Sequence, residues 1–339
     1  MSPSFSFGSA VGLGTRSRQT AGMARAKARS ARTQAEHAAS SALPLSEQIN
    51  PSTGDLDSLP THELLHRIND EDRRVAWAVE REIDVIATAV DAITERLRAG
   101  GRLHYFGAGT SGRIAALDAA EIPPTFSEPG TVVAHIAGGA QALARAVEGA
   151  EDDAAAGARE VRRARIGKRD AVVGLSASGS APYVLGAVQA ALKAQALTIG
   201  LSASPDTPLT RMVHVPIVLQ TGPEVIAGST RMKAGSAQKM ALTMLSTAVM
   251  VKLGKVYGNL MVDVRASNRK LKARAERLVA RLSGAPARDA RQALVKNGYE
   301  VKVAAVMLRA GVKRDAAKQM LRRARGDLRA VFDSLKKRS

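Results

Sequence analysis

The chain contains no cysteine. That excludes disulfide staples, thiolate nucleophiles and cysteine-ligated metal sites. It also lacks any run of about 18 apolar residues. The nearest approach, 234–253, is interrupted by Gln238, Lys239, Thr243, Ser246 and Lys252, so no membrane span is expected. Nor is there the apolar core of a secretory signal. Residues 1–44 are mainly Ser, Ala, Arg and Gly, with too few large apolar groups to offset the entropy of ordering, and are expected to form a disordered basic leader. The stretch Arg16 to Arg32 superficially resembles an organellar transit peptide, and Met23 offers an alternative start. Together these deficits point to a cytoplasmic, reducing setting.

What is present is enough for a sizeable core: 339 residues, 45% of them hydrophobic. The formal charge of +19 is distributed very unevenly. Residues 1–44 carry +5 and residues 265–339 carry +16, which leaves −2 for the long middle stretch. Chemistry in that middle stretch therefore does not draw on a whole-protein basic field, and neither nucleic acid nor membrane is expected as a partner.

The hydrophobic pattern divides the chain further. An N-terminal helical segment is expected over 45–100, with helices at 61–68, capped by Thr61, and at 71–99, ended by Gly100-Gly101. Strand-like runs at 103–106, 131–136, 171–175, 197–201 and 215–219 then alternate with helical stretches at 111–120, 141–163, 182–195 and 233–253. That alternation predicts an α/β domain over 101–255, a doubly wound parallel sheet flanked by helices. Residues 256–339 are expected to form a small, basic C-terminal helical region with turns at Ser283-Gly284, Asn297-Gly298, Gly311 and Gly326.

The first strand runs straight into Gly107-Ala-Gly-Thr-Ser-Gly112 and then a helix. Glycines let the backbone approach an anion, and the free N–H groups of a helix N-terminus supply donors. The spacing also suits a dinucleotide, but that requires an acid at the end of the second strand to hold the ribose. Here the second strand ends Ile136-Ala137-Gly138-Gly139. A phosphate monoester is the better ligand, with Gly109, Thr110, Ser111 and Gly112 as its cradle. A second loop of the same character, Ser176-Ala-Ser178-Gly179-Ser180-Ala-Pro182, follows the third strand, with Ser180 as the expected N-cap. Ser176, Ser178 and Gly179 are the candidates there. Two such loops at carboxyl ends of parallel strands converge on the crevice where open α/β sheets bind ligands.

The longer motifs around these loops carry a resemblance. Asn69-Asp-Glu-Asp72, Gly107-Ala-Gly-Thr-Ser-Gly-Arg113, Asp118-Ala-Ala-Glu121-Ile-Pro-Pro-Thr125, Ala146-Val-Glu-Gly-Ala-Glu-Asp152, Ser229-Thr-Arg-Met-Lys-Ala-Gly235 and Gly258-Asn-Leu-Met-Val-Asp263 occur in that order. Over about residues 45–335 the chain resembles the N-acetylmuramic acid 6-phosphate etherases, a family with the sugar isomerase (SIS) fold. It departs from them at Ser180 and Ala181, where the family usually has Arg and Thr. The resemblance implies cleavage of the lactyl ether of a muramic acid phosphate in amino-sugar recycling, with no cofactor and no metal. It also implies Glu121 as the proton donor and Glu151 as its partner, with Glu224, Arg231 and Lys233 as further substrate contacts. A straight helix puts Glu121 about 15 Å beyond the phosphate loop, at 1.5 Å per residue. The expected partners are therefore a small-molecule sugar phosphate and a second copy of the chain, with the site completed across a homodimer interface. A sugar-phosphate isomerase of the same fold shares proton abstraction at C2, and a sugar-phosphate-sensing regulator is the alternative outside enzymes.

Overall fold

The structure is a computed structural model and describes residues 43–264, 266 and 269–336. The basic leader expected over 1–44 lies outside the described residues except for its last two. Five parallel strands form the centre: β1 (Leu103–Gly107), β2 (Val132–Ile136), β3 (Ala171–Leu175), β4 (Leu197–Ser202) and β5 (Val215–Val218). Their order is β2-β1-β3-β4-β5, with Leu103 opposite both Val132 and Ala171. Every residue of β1, β3 and β4 is buried, which is why these runs read as continuously apolar rather than alternating.

The pleat sends neighbouring side chains to opposite faces. Leu103, Tyr105, Ala171, Val173 and Leu175 point into a core built with helices α2 (Arg74–Glu80), α3 (Ile83–Arg98), α4 (Gly109–Phe126) and α8 (Lys233–Lys252). Phe106 and Val172 face the other layer, made by α5 (Ala154–Arg163), α6 (Pro182–Lys193) and α7 (Pro208–Met212). Each fully buried Val, Leu or Ile here contributes about 1.5–3 kcal/mol relative to exposure. The result is the expected doubly wound sheet, preceded by α1 (Thr61–Asp72).

Beyond it, a short hairpin of β6 (Val256–Tyr257) and β7 (Leu260–Met261) leads into α9 (Arg269–Ser283), α10 (Ala287–Asn297), α11 (Val301–Ala310), α12 (Arg314–Arg323) and α13 (Leu328–Lys336). These pack around their own core, with Val279, Leu294, Val306 and Phe332 at its centre. Gly298 and Gly311 end α10 and α11 in the left-handed conformation, as the turn signals predict.

Several boundaries differ from the sequence-based expectation. The long helix expected over 141–163 is an α-helix only from Ala154. Before it lie two short 3-10 turns, and Gly149 takes a φ of 70°. Asp153 caps the shortened helix by accepting from the Ala156 N–H at 2.8 Å. The helix expected over 71–99 is interrupted at Arg73 and at Arg81 and Glu82. Glu82 reaches instead to the backbone N–H of Val218 in β5, at 3.1 Å. α4 runs past its expected end through Pro123 and Pro124 to Phe126, where Ile122 and Phe126 are held in the core, and stops at Ser127 with φ 56°. Thr61 and Ser180 do not cap: the residues before α1 and α6 are Pro60 and Ala181.

Candidate functional site

In the order β2-β1-β3-β4-β5 the chain reverses direction of travel between β1 and β3, so the carboxyl ends of those two strands flank a switch-point crevice. Both Ser- and Gly-rich loops emerge there. Among the described residues no side chain caps α4 at Ala108, which leaves the first N–H groups of the helix open to an anion. Gly112 serves packing: a Cβ there would lie 2.5 Å from Ile136 Cγ1 and 2.7 Å from the Gly107 carbonyl oxygen. In the second loop Ser176 Oγ lies 3.4 Å from Ser178 Oγ, and Ser178 Oγ lies 2.9 Å from Ser180 Oγ. Gly179, at φ 69°, makes the turn, and its Cβ position is taken up by Thr207.

A cavity of about 280 Å³ joins the two loops. Gly109, Thr110, Ser111, Ser176 and Ser178 line it together with Glu151, so the structure brings one predicted carboxylate to the predicted phosphate cradle. Two helix N-termini, α4 and α6, start beside it, and among the described residues no Lys or Arg lines it. Hydroxyls, backbone N–H groups and helix dipoles are what this lining offers to an anion. Its volume lies just below the ~300–1,000 Å³ usual for small-molecule sites.

The remaining predicted residues lie elsewhere. Glu121 is exposed on α4, ten residues past Ser111, and does not line the cavity. Glu224 is buried, and its two carboxylate oxygens accept from the backbone N–H groups of Lys233 (2.9 Å) and Ala234 (2.8 Å), so that it caps α8 from a distance. Burial is the main influence on its carboxyl and pushes it up. Lys233 is fully buried and its Nζ pairs with Glu71, which also accepts from Asn50 Nδ2 at 2.9 Å. Arg231 is exposed outside the lining, although Thr230 before it contributes. Gly112 and Gly179 shape the loops without lining the cavity.

Glu47, Gly228 and Thr230 also line it, beside Ala108, Leu175, Ala177 and Ala181, and were not among the expected site residues. Glu47 sits in a 3-10 turn whose anchors are remote. The Gly228 N–H donates to the Ser46 carbonyl at 2.8 Å, and the Leu45 N–H donates to Ser204 Oγ at 3.0 Å. No periodicity signals such a strap. Gly228 and Thr230 flank Ser229, the first residue of a motif that carries the resemblance, which was the available clue.

α4 is clamped in place by its own buried acid. Asp118 accepts from Tyr105 Oη and from Ser246 Oγ, both at 3.0 Å, which ties the helix to β1 and α8. Burial pushes the Asp118 carboxyl up. His104 and His135 pack at the sheet, with His104 Nδ1 3.0 Å from His135 Nε2. No helix among the described residues is long and apolar enough to cross a membrane.

Comparison with known proteins gives two family matches within the chain. Residues 85–192 match the family description "Glucokinase regulatory protein N-terminal SIS domain". Residues 258–325 match "C-terminal lid domain of glucokinase regulatory protein". An N-acetylmuramic acid 6-phosphate etherase from Rubrobacter xylanophilus is 52% identical over 85% of this chain and 95% of its own length. One from Yersinia pestis (strain Pestoides F) is 50% identical over 85% of this chain and 98% of its own. Among solved structures, a phosphoheptose isomerase from Francisella tularensis is 17% identical, covering 56% of this chain and 98% of its own, with a TM-score of 0.45.

Proposed function

Because the chain belongs to the N-acetylmuramic acid 6-phosphate etherase family, we propose that it cleaves the lactyl ether at C3 of N-acetylmuramic acid 6-phosphate, releasing N-acetylglucosamine 6-phosphate and D-lactate in cytoplasmic amino-sugar recycling. The observation that carries this reading is the meeting of Glu151 with both hydroxyl-rich loops in one cavity, within a chain half identical to etherases over most of its length. Thr110, Ser111, Ser176 and Ser178 would hold the 6-phosphate, together with the free N–H groups at the start of α4.

The chemistry then follows from the bond to be broken. Ring opening exposes a C1 aldehyde, which acidifies the C2 proton. A base takes that proton, the C3–O bond breaks, and an acid protonates the departing lactyl oxygen, because an alkoxide is a poor leaving group. Water then adds at C3 of the resulting unsaturated aldehyde, and a proton returns to C2. Two carboxyl groups suffice. Glu151 is the one at the cavity. Glu121 is the second, delivered from another copy of the chain, since its position on α4 is too far along the helix to serve its own loop. Glu47 adds an acceptor to the cavity lining, suited to a sugar hydroxyl or the N-acetyl N–H.

Incubation with N-acetylmuramic acid 6-phosphate tests the reading: D-lactate should accumulate in step with N-acetylglucosamine 6-phosphate, and Glu151→Gln should abolish both. An aldose–ketose interconversion without lactate would replace it with the isomerase reading.

A further inference from the structure

Ser111 donates its hydroxyl proton to Gln238 Oε1 across 2.8 Å. Gln238 lies on α8 and is 1% exposed, and its Nε2 has no hydrogen-bond partner among the described residues. A serine hydroxyl has one proton to give. While that proton points at Gln238, Ser111 meets the cavity only as an acceptor. A phosphate monoester presents acceptors too, so in this arrangement the two repel rather than bind.

Half a turn of the Gln238 amide about Cγ–Cδ exchanges its oxygen and nitrogen at nearly the same shape. Nε2 then donates to Ser111 Oγ, and the serine proton is free to point into the cavity. In the first orientation both amide N–H bonds are unpaired; in the second, one N–H and the carbonyl are. An unpaired buried donor or acceptor costs about 1–3 kcal/mol, so neither orientation has a large advantage and an acceptor ligand decides between them.

We propose that Gln238 is a positioning residue for the phosphate site: its amide orients the Ser111 hydroxyl, turning it from an acceptor into a donor when a phosphate enters. The chain Nε2–H to Oγ–H to phosphate is a polarised relay, with each bond strengthening the next. The inference rests on the reading of the cavity as a phosphate site.

Inorganic phosphate binding to the full chain, measured by isothermal titration calorimetry, separates the two. Ser111→Ala should weaken phosphate binding; if it does not, the phosphate reading itself fails. Gln238→Met should weaken phosphate about two- to tenfold, the net worth of one hydrogen bond. In a Ser111→Ala background the same Gln238→Met change should leave phosphate affinity unaltered. Gln238→Glu keeps the shape but, while ionised, can only accept and adds a negative charge, so it should cost more than Gln238→Met. In turnover, Gln238→Met should raise KM with kcat little changed. A purely structural role predicts equal losses with and without the Ser111 hydroxyl, and that result overturns the proposal. So does phosphate binding by Gln238→Glu at the wild-type level. Gln238→Leu, a second neutral side chain unable to donate or accept, carries the comparison should Gln238→Met fail to fold.

Discussion

Replacing Lys233 with methionine separates a scaffold residue from a ligand. The ammonium is fully buried, its carboxylate partner Glu71 is 2% exposed, and the two lie far apart in sequence, at the start of α8 and near the end of α1. Burial alone would raise the Glu71 carboxyl, but Lys233 and Asn50 hold it below its usual value, so it is charged at neutral pH. Lys233→Met leaves that charge in place with Asn50 Nδ2 at 2.9 Å and Arg74 at 3.4 Å. Stranding one member of a buried pair costs about 3–5 kcal/mol. The two remaining partners place the expected loss near the lower end of that range, about 3 kcal/mol. Removing both charges, in Glu71→Leu/Lys233→Met, should restore most of it, because well-packed apolar replacements of a buried pair are often neutral. Urea unfolding at pH 7 followed by circular dichroism gives the stabilities. Steady-state kinetics on the folded proteins should give a KM within about twofold of wild type, since Lys233 does not line the cavity. A KM raised tenfold or more with stability within about 0.5 kcal/mol of wild type would refute this and make Lys233 a substrate contact.

Burial, with His135 and Arg102 adding to it against Asp170, pushes the His104 imidazole down to about 4. An unfolded His titrates near 6.5, so the unfolded chain binds the extra proton first, and stability falls as pH drops from about 6.5 to 4 by about 3 kcal/mol. His104→Asn should lose less stability between pH 7 and pH 4.5 in urea titrations; an unchanged acid slope would contradict this. Gly112→Ala should destabilise by about 1–3 kcal/mol in thermal unfolding, because its Cβ meets Ile136 and the Gly107 carbonyl well inside contact distance. Verified mixed dimers of Glu121→Ala and Ser111→Ala chains should regain activity that neither variant shows alone, and their failure to do so would remove the shared-site geometry.

The strands were legible because β1, β3 and β4 are buried on both faces, so their sequence is apolar without interruption. Both loops were legible for a related reason: glycines and hydroxyls in number at strand ends have few purely structural uses. The segment 141–163 misled because its alanines and apolar spacing favour a helix, while Gly149 and the Asp153 cap delay it to Ala154. Glu224 and Lys233 were expected at the substrate because the resemblance implies them there; in the structure both are buried away from the cavity lining. Their burial is set by contacts with residues 9 and 162 positions away, which no local pattern contains. Glu47 escaped for the same reason, since its strap is fastened to Ser204 and Gly228.

Turnover of N-acetylmuramic acid 6-phosphate in ¹⁸O-enriched water tests the central claim most directly. Elimination followed by hydration breaks the bond between C3 and the ether oxygen, so mass spectrometry should find the label in the N-acetylglucosamine 6-phosphate hydroxyl at C3 and none introduced into the lactate by ether cleavage. Label delivered to the lactate at the ether position, or sugar phosphate consumed without lactate, would contradict it.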